Sequence, residues 1–187
     1  MEPVQIEGYE VNPWTMFIKP VKYEGRTCSH IVELEGDFLC PSTPTDIIRR
    51  SCEYFGASFE GRQKGSKQLL NAKHKVPIII DQINSIYFFP TTSPSVSGCI
   101  WVSHGHVTEY RSISAKETCV TFQNKQSYIF PISSFSLLNQ LQRTALLQTK
   151  LEQRSEYRDR KFFYLKNRPG YMEASETKGN YTKNIFF

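Results

Sequence analysis

Residues 76–90 read VPIIIDQINSIYFFP, and no other stretch limits the possible folds as strongly. Two apolar runs, VPIII and IYFF, flank Asp81-Gln82-Ile83-Asn84-Ser85. Apolar runs this short, rich in isoleucine and aromatic residues, suit strands better than helices, and the polar connection suits a turn. The spacing predicts a buried hairpin. Further strands are expected near 99–103, 106–113, 117–123 and 126–130. Asn124-Lys125 supplies a tight turn between the last two, and TTSPSVSG (91–98) a turn-rich connection. Upstream, Trp14, Met16 and Ile18 alternate along one face, and Cys28, His30, Val32 and Leu34 along another run. Period two again reads as strand.

Helical signals lie on either side of this β region. Pro41 and Pro44 break the strand pattern, and Thr45-Asp46 is placed to cap a short helix near 45–55 that carries Ile47, Ile48, Cys52 and Phe55 and ends at Gly56. After Pro131 the period changes. Ser133 or Ser134 can cap a longer helix near 134–160, with Leu137, Leu138, Leu141 and Ala145 on one face. Arg143, Lys150, Arg154, Arg158 and Lys161 follow at spacings of seven, four, four and three, a candidate phosphate stripe opposite the leucines. The fold class expected is α+β: a mainly antiparallel β-sheet or small barrel with these two helices. Residues 1–165 are read as one domain and 166–187 as a polar, flexible tail.

Charge is unevenly placed. Residues 49–75, RRSCEYFGASFEGRQKGSKQLLNAKHK, hold seven Lys/Arg against two Glu, while the whole chain has a net charge of +5. Residues 1–48 hold three basic against eight acidic side chains, 76–133 three against three, and 134–187 ten against five. An acidic front with two basic regions points to a polyanionic partner. Within 49–75, Gly56, Gly61 and Gly65 are interleaved with Tyr54, Phe55, Phe59 and the charges, a pattern expected of a bent loop or wing. A solvated surface loop is the ordinary alternative.

The run RSCEYFGASFEGRQKGS resembles the central signature of the ComK competence transcription factor family. The resemblance begins near EGYEVN (7–12) and continues in order through HKVPIIID (74–81), IYFFPTTSP (86–94), WVSHGHV (101–107) and RTALLQTK (143–150). It implies a DNA-binding transcriptional activator that recognises paired A·T-rich boxes, approaches from the minor groove and binds as a dimer or tetramer. RNA polymerase and a Clp protease adaptor are the other partners that it implies. A·T tracts narrow the minor groove and draw in Arg and Lys. On this reading Arg62, between Gly61 and Gly65 with Gln63 and Lys64, enters the groove. Lys64, Lys67, Lys73 and Lys75 contact phosphates, and Arg49 and Arg50 stand at the flank. FFYLK (162–166), with Phe162, Phe163, Tyr164 and Leu165, is the counterpart of the family's aromatic adaptor-docking segment.

Enzymatic readings find less support. GASFEGRQ (56–63) has the glycine spacing of a phosphate loop but carries Arg and Gln where Lys and Ser/Thr are needed. His104 and His106 would face the same way on a strand, near Cys99 and Glu109, yet no later histidine completes a metal set. Two alternatives to the activator remain: a non-enzymatic β module binding anionic ligands or peptides, and a His-x-His metal-binding protein. No catalytic residue, cofactor or resident metal is expected. The five cysteines are odd in number and widely spaced, as reduced thiols are. MEPVQIEGYE lacks the basic head and apolar core of a secretory signal, and no run nears the ~18 apolar residues of a membrane span. A cytoplasmic location without membrane contact is expected, and the resemblance makes it nucleoid-associated.

Overall fold

A computed structural model describes residues 3–167 of the chain. It divides into two units at Leu151 and Glu152. The elements in order are β1 (Val4–Gln5), β2 (Thr15–Tyr23), β3 (Arg26–Glu33), β4 (Asp37–Cys40), α1 (Pro44–Tyr54) and α2 (Phe59–Leu70). There follow β5 (Ile78–Asp81), β6 (Ile86–Pro90), β7 (Trp101–Ser103), a 3-10 turn (His104–His106), β8 (Val107–Ser112), β9 (Thr118–Phe122), β10 (Ser127–Phe130) and α3 (Ser134–Lys166).

Local chemistry accounts for most of these boundaries. Glu24 and Gly25 both have positive φ, 47° and 75°, which is the two-residue turn whose twist matches an antiparallel pair, and β2 and β3 leave it in register. The expected hairpin is β5–β6, whose turn is tied by Asp81 accepting from the Ile83 amide and from Asn84. Asn124-Lys125 does turn the chain between β9 and β10, with Lys125 at φ 65° and its amide bonded to the Phe122 carbonyl. Thr43 caps α1, two residues before the expected Thr45-Asp46. Its hydroxyl accepts from the Asp46 amide, and Pro44 occupies the first turn, where its missing N–H costs nothing. Ser133 caps α3 by accepting from the Ser136 amide at 3.2 Å.

The strands form two sheets. One has seven strands in the order β1-β4-β3-β2-β7-β6-β5, and the other has three in the order β10-β9-β8. All neighbours run antiparallel except β1 and β4. The fold is α+β, and neither sheet closes, so the small-barrel alternative does not hold. One face of the large sheet, with Ile18, Ile31, Ile78, Ile80, Phe88 and Trp101, packs against Ile47, Ile48 and Cys52 of α1 and Phe59 of α2. The other face, with Phe17, Val32, Phe89 and Val102, meets Val120, Phe122 and Phe130 of the small sheet and Leu137 of α3. Strands buried on both faces read as continuous apolar runs, which is why VPIII and IYFF carried no alternation.

Three local expectations are corrected. A bulge between Thr15 and Phe17 breaks the alternation of β2, so Met16 and Ile18 join opposite cores and Trp14 stays exposed. The buried face of α3 is Leu137, Gln140, Thr144 and Leu147, while Leu138 and Ala145 are exposed. Gln140 is admitted because its amide donates to the Pro90 carbonyl and Thr144 returns its hydroxyl to the Gln140 carbonyl. The third correction bears on function: the glycine-rich basic stretch is not a loop but helix α2. The helix α3 runs on to Lys166, and its residues from Glu152 belong to the second unit. Of the expected tail 166–187, residues 168–187 lie outside the described residues.

Candidate nucleic-acid interface

Helix α2 begins where Ser58 accepts from the Gly61 amide at 3.0 Å and ends where Asn71 adopts a left-handed conformation, φ 48°. A Cβ on Gly61 would come within 2.8 Å of the Ser58 hydroxyl, so this glycine serves the cap and not a bend. α1 and α2 are joined by only Phe55-Gly56-Ala57-Ser58, with Gly56 at φ 73° closing the first helix. The signals for α2 were present but masked. Ser58 is a good cap, and residues 53–75 contain no proline and no β-branched residue. Three glycines lower the intrinsic propensity enough to suggest a loop, and packing overrides them.

Helical geometry sorts the basic residues by face. Phe59 and Ser66 are buried, and Arg62, Leu69 and Leu70 on the same inward stripe are half-buried. Arg62 Nε is buried without a hydrogen-bond partner among the described residues. The outward stripe carries Glu60, Gly61, Lys64, Gln68 and Asn71, all exposed. Lys67 is half-buried and donates to Gln63 at 3.1 Å. Past the helix, Lys73, His74 and Lys75 are exposed. On α1, Arg50 is exposed and bonds Ser42. Arg49 pairs with Glu60 and lies 5.0 Å from the Phe59 ring centroid. That guanidinium holds the Glu60 carboxyl below its ordinary pKa. One of the two acids in the region is thereby neutralised by a flanking cation.

Tertiary contacts tie the second basic region to the first. Lys150 Nζ donates to the Leu69 carbonyl at 2.7 Å, and Arg143 donates to the His74 carbonyl at 3.5 Å. Cations on the last carbonyls of a helix satisfy orphan acceptors and oppose the negative end of its dipole. Lys150 therefore anchors the far end of α2, while Arg143 holds the segment that follows it. Arg154 and Arg158 belong to the second unit and are exposed. So are Phe162, Phe163, Tyr164 and Leu165 on the last turns of α3, with Tyr164 at 79%.

His104 and His106 do not share a strand face. They lie in the 3-10 turn and serve separate contacts: His104 bonds the Leu141 backbone of α3, while His106 bonds Ser103 at 2.8 Å and the Pro13 backbone. Among the described residues no group of three or more His, Cys, Asp or Glu side chains stands together as a metal-binding set. The five cysteines are buried and unpaired, and burial pushes the Cys52 and Cys99 thiols up to about 11. Burial lowers both histidine pKa values below the ordinary 6.5. The fold thus favours the neutral rings, so their contribution is intact above pH 6.5 and is lost as pH falls through the lower folded-state values. Thermal melts from pH 8 to 5 are expected to hold level and then decline below about 6.5. A melting temperature independent of pH across that window would contradict the assignment.

The family described as ComK protein matches residues 6–156. The Competence transcription factor of Bacillus subtilis (strain 168) is 40% identical over 153 residues, covering 82% of this chain and 80% of the relative. No solved structure matches the chain.

Proposed function

Because the chain belongs to the ComK family, we propose that it is a competence-type transcriptional activator which binds A·T-rich duplex DNA through α2 and the segment after it. The observation that carries this reading is the exposed set Arg50, Lys64, Lys73 and Lys75, in a region where one of two carboxylates is already paired with Arg49. Phosphates are the natural ligand for such a surface, and their neutralisation releases condensed counterions. Transcription factors are not a class of enzyme, and the reading asks no chemistry of the site beyond binding.

A helix about 10–12 Å across does not fit a minor groove about 6 Å wide. In the proposed mode α2 lies over the sugar–phosphate edge, and only its long side chains reach into an A·T-narrowed groove. Lys64 and Gln68 face outward for this, with Lys73 and Lys75 on phosphates and Arg50 at the flank. Arg62, Gln63 and Lys67 form the inner margin, and Arg49 keeps Glu60 from repelling the backbone. Lys150 acts through α2, whose far end it holds, and Arg143 through the segment after it. Paired boxes call for more than one copy of the protein. The exposed Phe162, Phe163, Tyr164 and Leu165 are proposed as the adaptor-docking surface, with RNA polymerase as the remaining partner. No helix among the described residues is long and apolar enough to cross a membrane.

The test is fluorescence anisotropy with two duplexes of equal length, one bearing paired A·T-rich boxes and one G·C-rich, with and without distamycin as a minor-groove competitor. Tighter binding to the A·T-rich duplex, reversed by distamycin, is expected. Equal affinity for both duplexes removes the sequence preference, and indifference to distamycin removes the groove assignment.

A further inference from the structure

Each strand that ends a sheet exposes unpaired backbone groups to other chains. β1 is two residues long, and β5 is buried along its length beside α1 and α2. β10 has four residues and stops at Pro131. β8 differs from all of these. It has six residues, five of them exposed, and among the described residues it pairs with β9 alone. It lacks proline and lysine, common blockers of such edges. Tyr110 and, just past the strand, Ile113 leave apolar surface uncovered.

We propose that β8 pairs antiparallel with β8 of a second copy of this chain, about a two-fold axis at Tyr110, so that two three-stranded sheets become one of six. Symmetry restricts the choice of register. Residues opposite each other in an antiparallel pair point to the same face, and a two-fold axis normal to the sheet preserves faces. One residue must therefore sit opposite its own copy, since a one-residue slip would set opposite faces against each other. An axis at Glu109 sets carboxylate against carboxylate, and an axis at Arg111 sets cation against cation. An axis at Tyr110 sets Glu109 opposite Arg111 of the second copy and repeats the pair on the other side of the axis. Opposite charges directly across a ladder attract, and like charges repel. Neither the Glu109 nor the Arg111 side chain has a hydrogen-bond or ion-pair partner among the described residues, so both are available. The bulge of β8 falls between Val107 and Glu109, leaving Glu109–Ser112 in regular register with β9. The tyrosines meet across the axis, where aromatic cross-strand pairs are favourable.

Sedimentation of the full chain in the absence of DNA reads the proposal independently of the DNA-binding reading. Wild-type protein is expected to self-associate. E109R and R111E each turn two attractive pairs into two repulsive ones and are expected to weaken association roughly tenfold or more. The double variant E109R/R111E restores complementarity within one chain, and an equimolar mixture of the two single variants restores it between chains. Recovery in both is the expected result. Tyr110→Cys adds one exposed thiol to a chain whose native cysteines are all buried, and directly opposed strand positions fall within disulfide reach. Oxidation is expected to give a covalent dimer on a non-reducing gel. Because these side chains are exposed, circular dichroism should match wild type throughout. A monomeric wild type, single variants that associate as wild type does, or no cross-link through Tyr110→Cys would each overturn the pairing.

Discussion

Replacing Lys64, Lys73 and Lys75 together by glutamine is expected to lower affinity for A·T-rich duplex by on the order of 10²-fold near 0.15 M salt. The dependence of log affinity on log salt should flatten by about 2.7, since each phosphate contact contributes about 0.9 on B-form DNA. All three side chains are exposed and bear no described structural duty, so the melting temperature should hardly move. A control removes the same net charge elsewhere through Lys22, Lys116 and Lys125, which are exposed on the β2–β3, β8–β9 and β9–β10 connections or beside them. If the control matches the triple variant, the effect belongs to overall charge and α2 loses its assignment. If only the first set changes the slope, the contact is local.

Phe17→Ala is expected to cost about 3–5 kcal/mol of stability, among the largest effects available to one substitution. Phe17 has no exposed surface, and its ring lies 5.3 Å from that of Phe122, 4.7 Å from Tyr128 and 5.1 Å from Phe130. Those three partners all belong to the small sheet, whereas Phe17 belongs to the large one. Truncation leaves a cavity at the seam between the layers, where neither sheet can shift without breaking its own ladder. Melting should fall by roughly 6–20 °C, given ~2–4 °C per kcal/mol for a chain of this size. Phe135→Ala is the contrast. That ring is 73% exposed, and its loss should stay within about 0.5 kcal/mol. Comparable melting curves for the two variants would mean that the sheets are not joined through Phe17.

The candidate site was legible in part. Charge placement along the chain picked out residues 49–75 without any knowledge of shape, because charge is a property of composition. Its local structure was misread because propensity is counted over neighbours in sequence. Phe59, Leu69 and Leu70 gain their burial from elements distant in the chain. That burial holds three glycines within or beside a helix that they would not form alone. The same shift from loop to helix turned Arg62 inward and left Lys64 facing out, a difference of about half a turn that a loop reading cannot supply. His104 and His106 show the limit from the other side. Alternation put both on one face, yet a 3-10 turn sends them to α3 and to the segment before β2.

From the order of residues alone came the strand runs, the two outer helices, the family signature and the polarity of charge, since each depends on a few adjacent or periodically spaced side chains. The three-dimensional packing alone decided that the strands divide into two open sheets, that Lys150 and Arg143 reach back to the end of α2 and the segment after it, and which cations face water. Those outcomes depend on contacts between residues far apart in the chain, such as Phe17 with Val102 and Lys150 with Leu69, and their energies exist only once the layers have closed on one another.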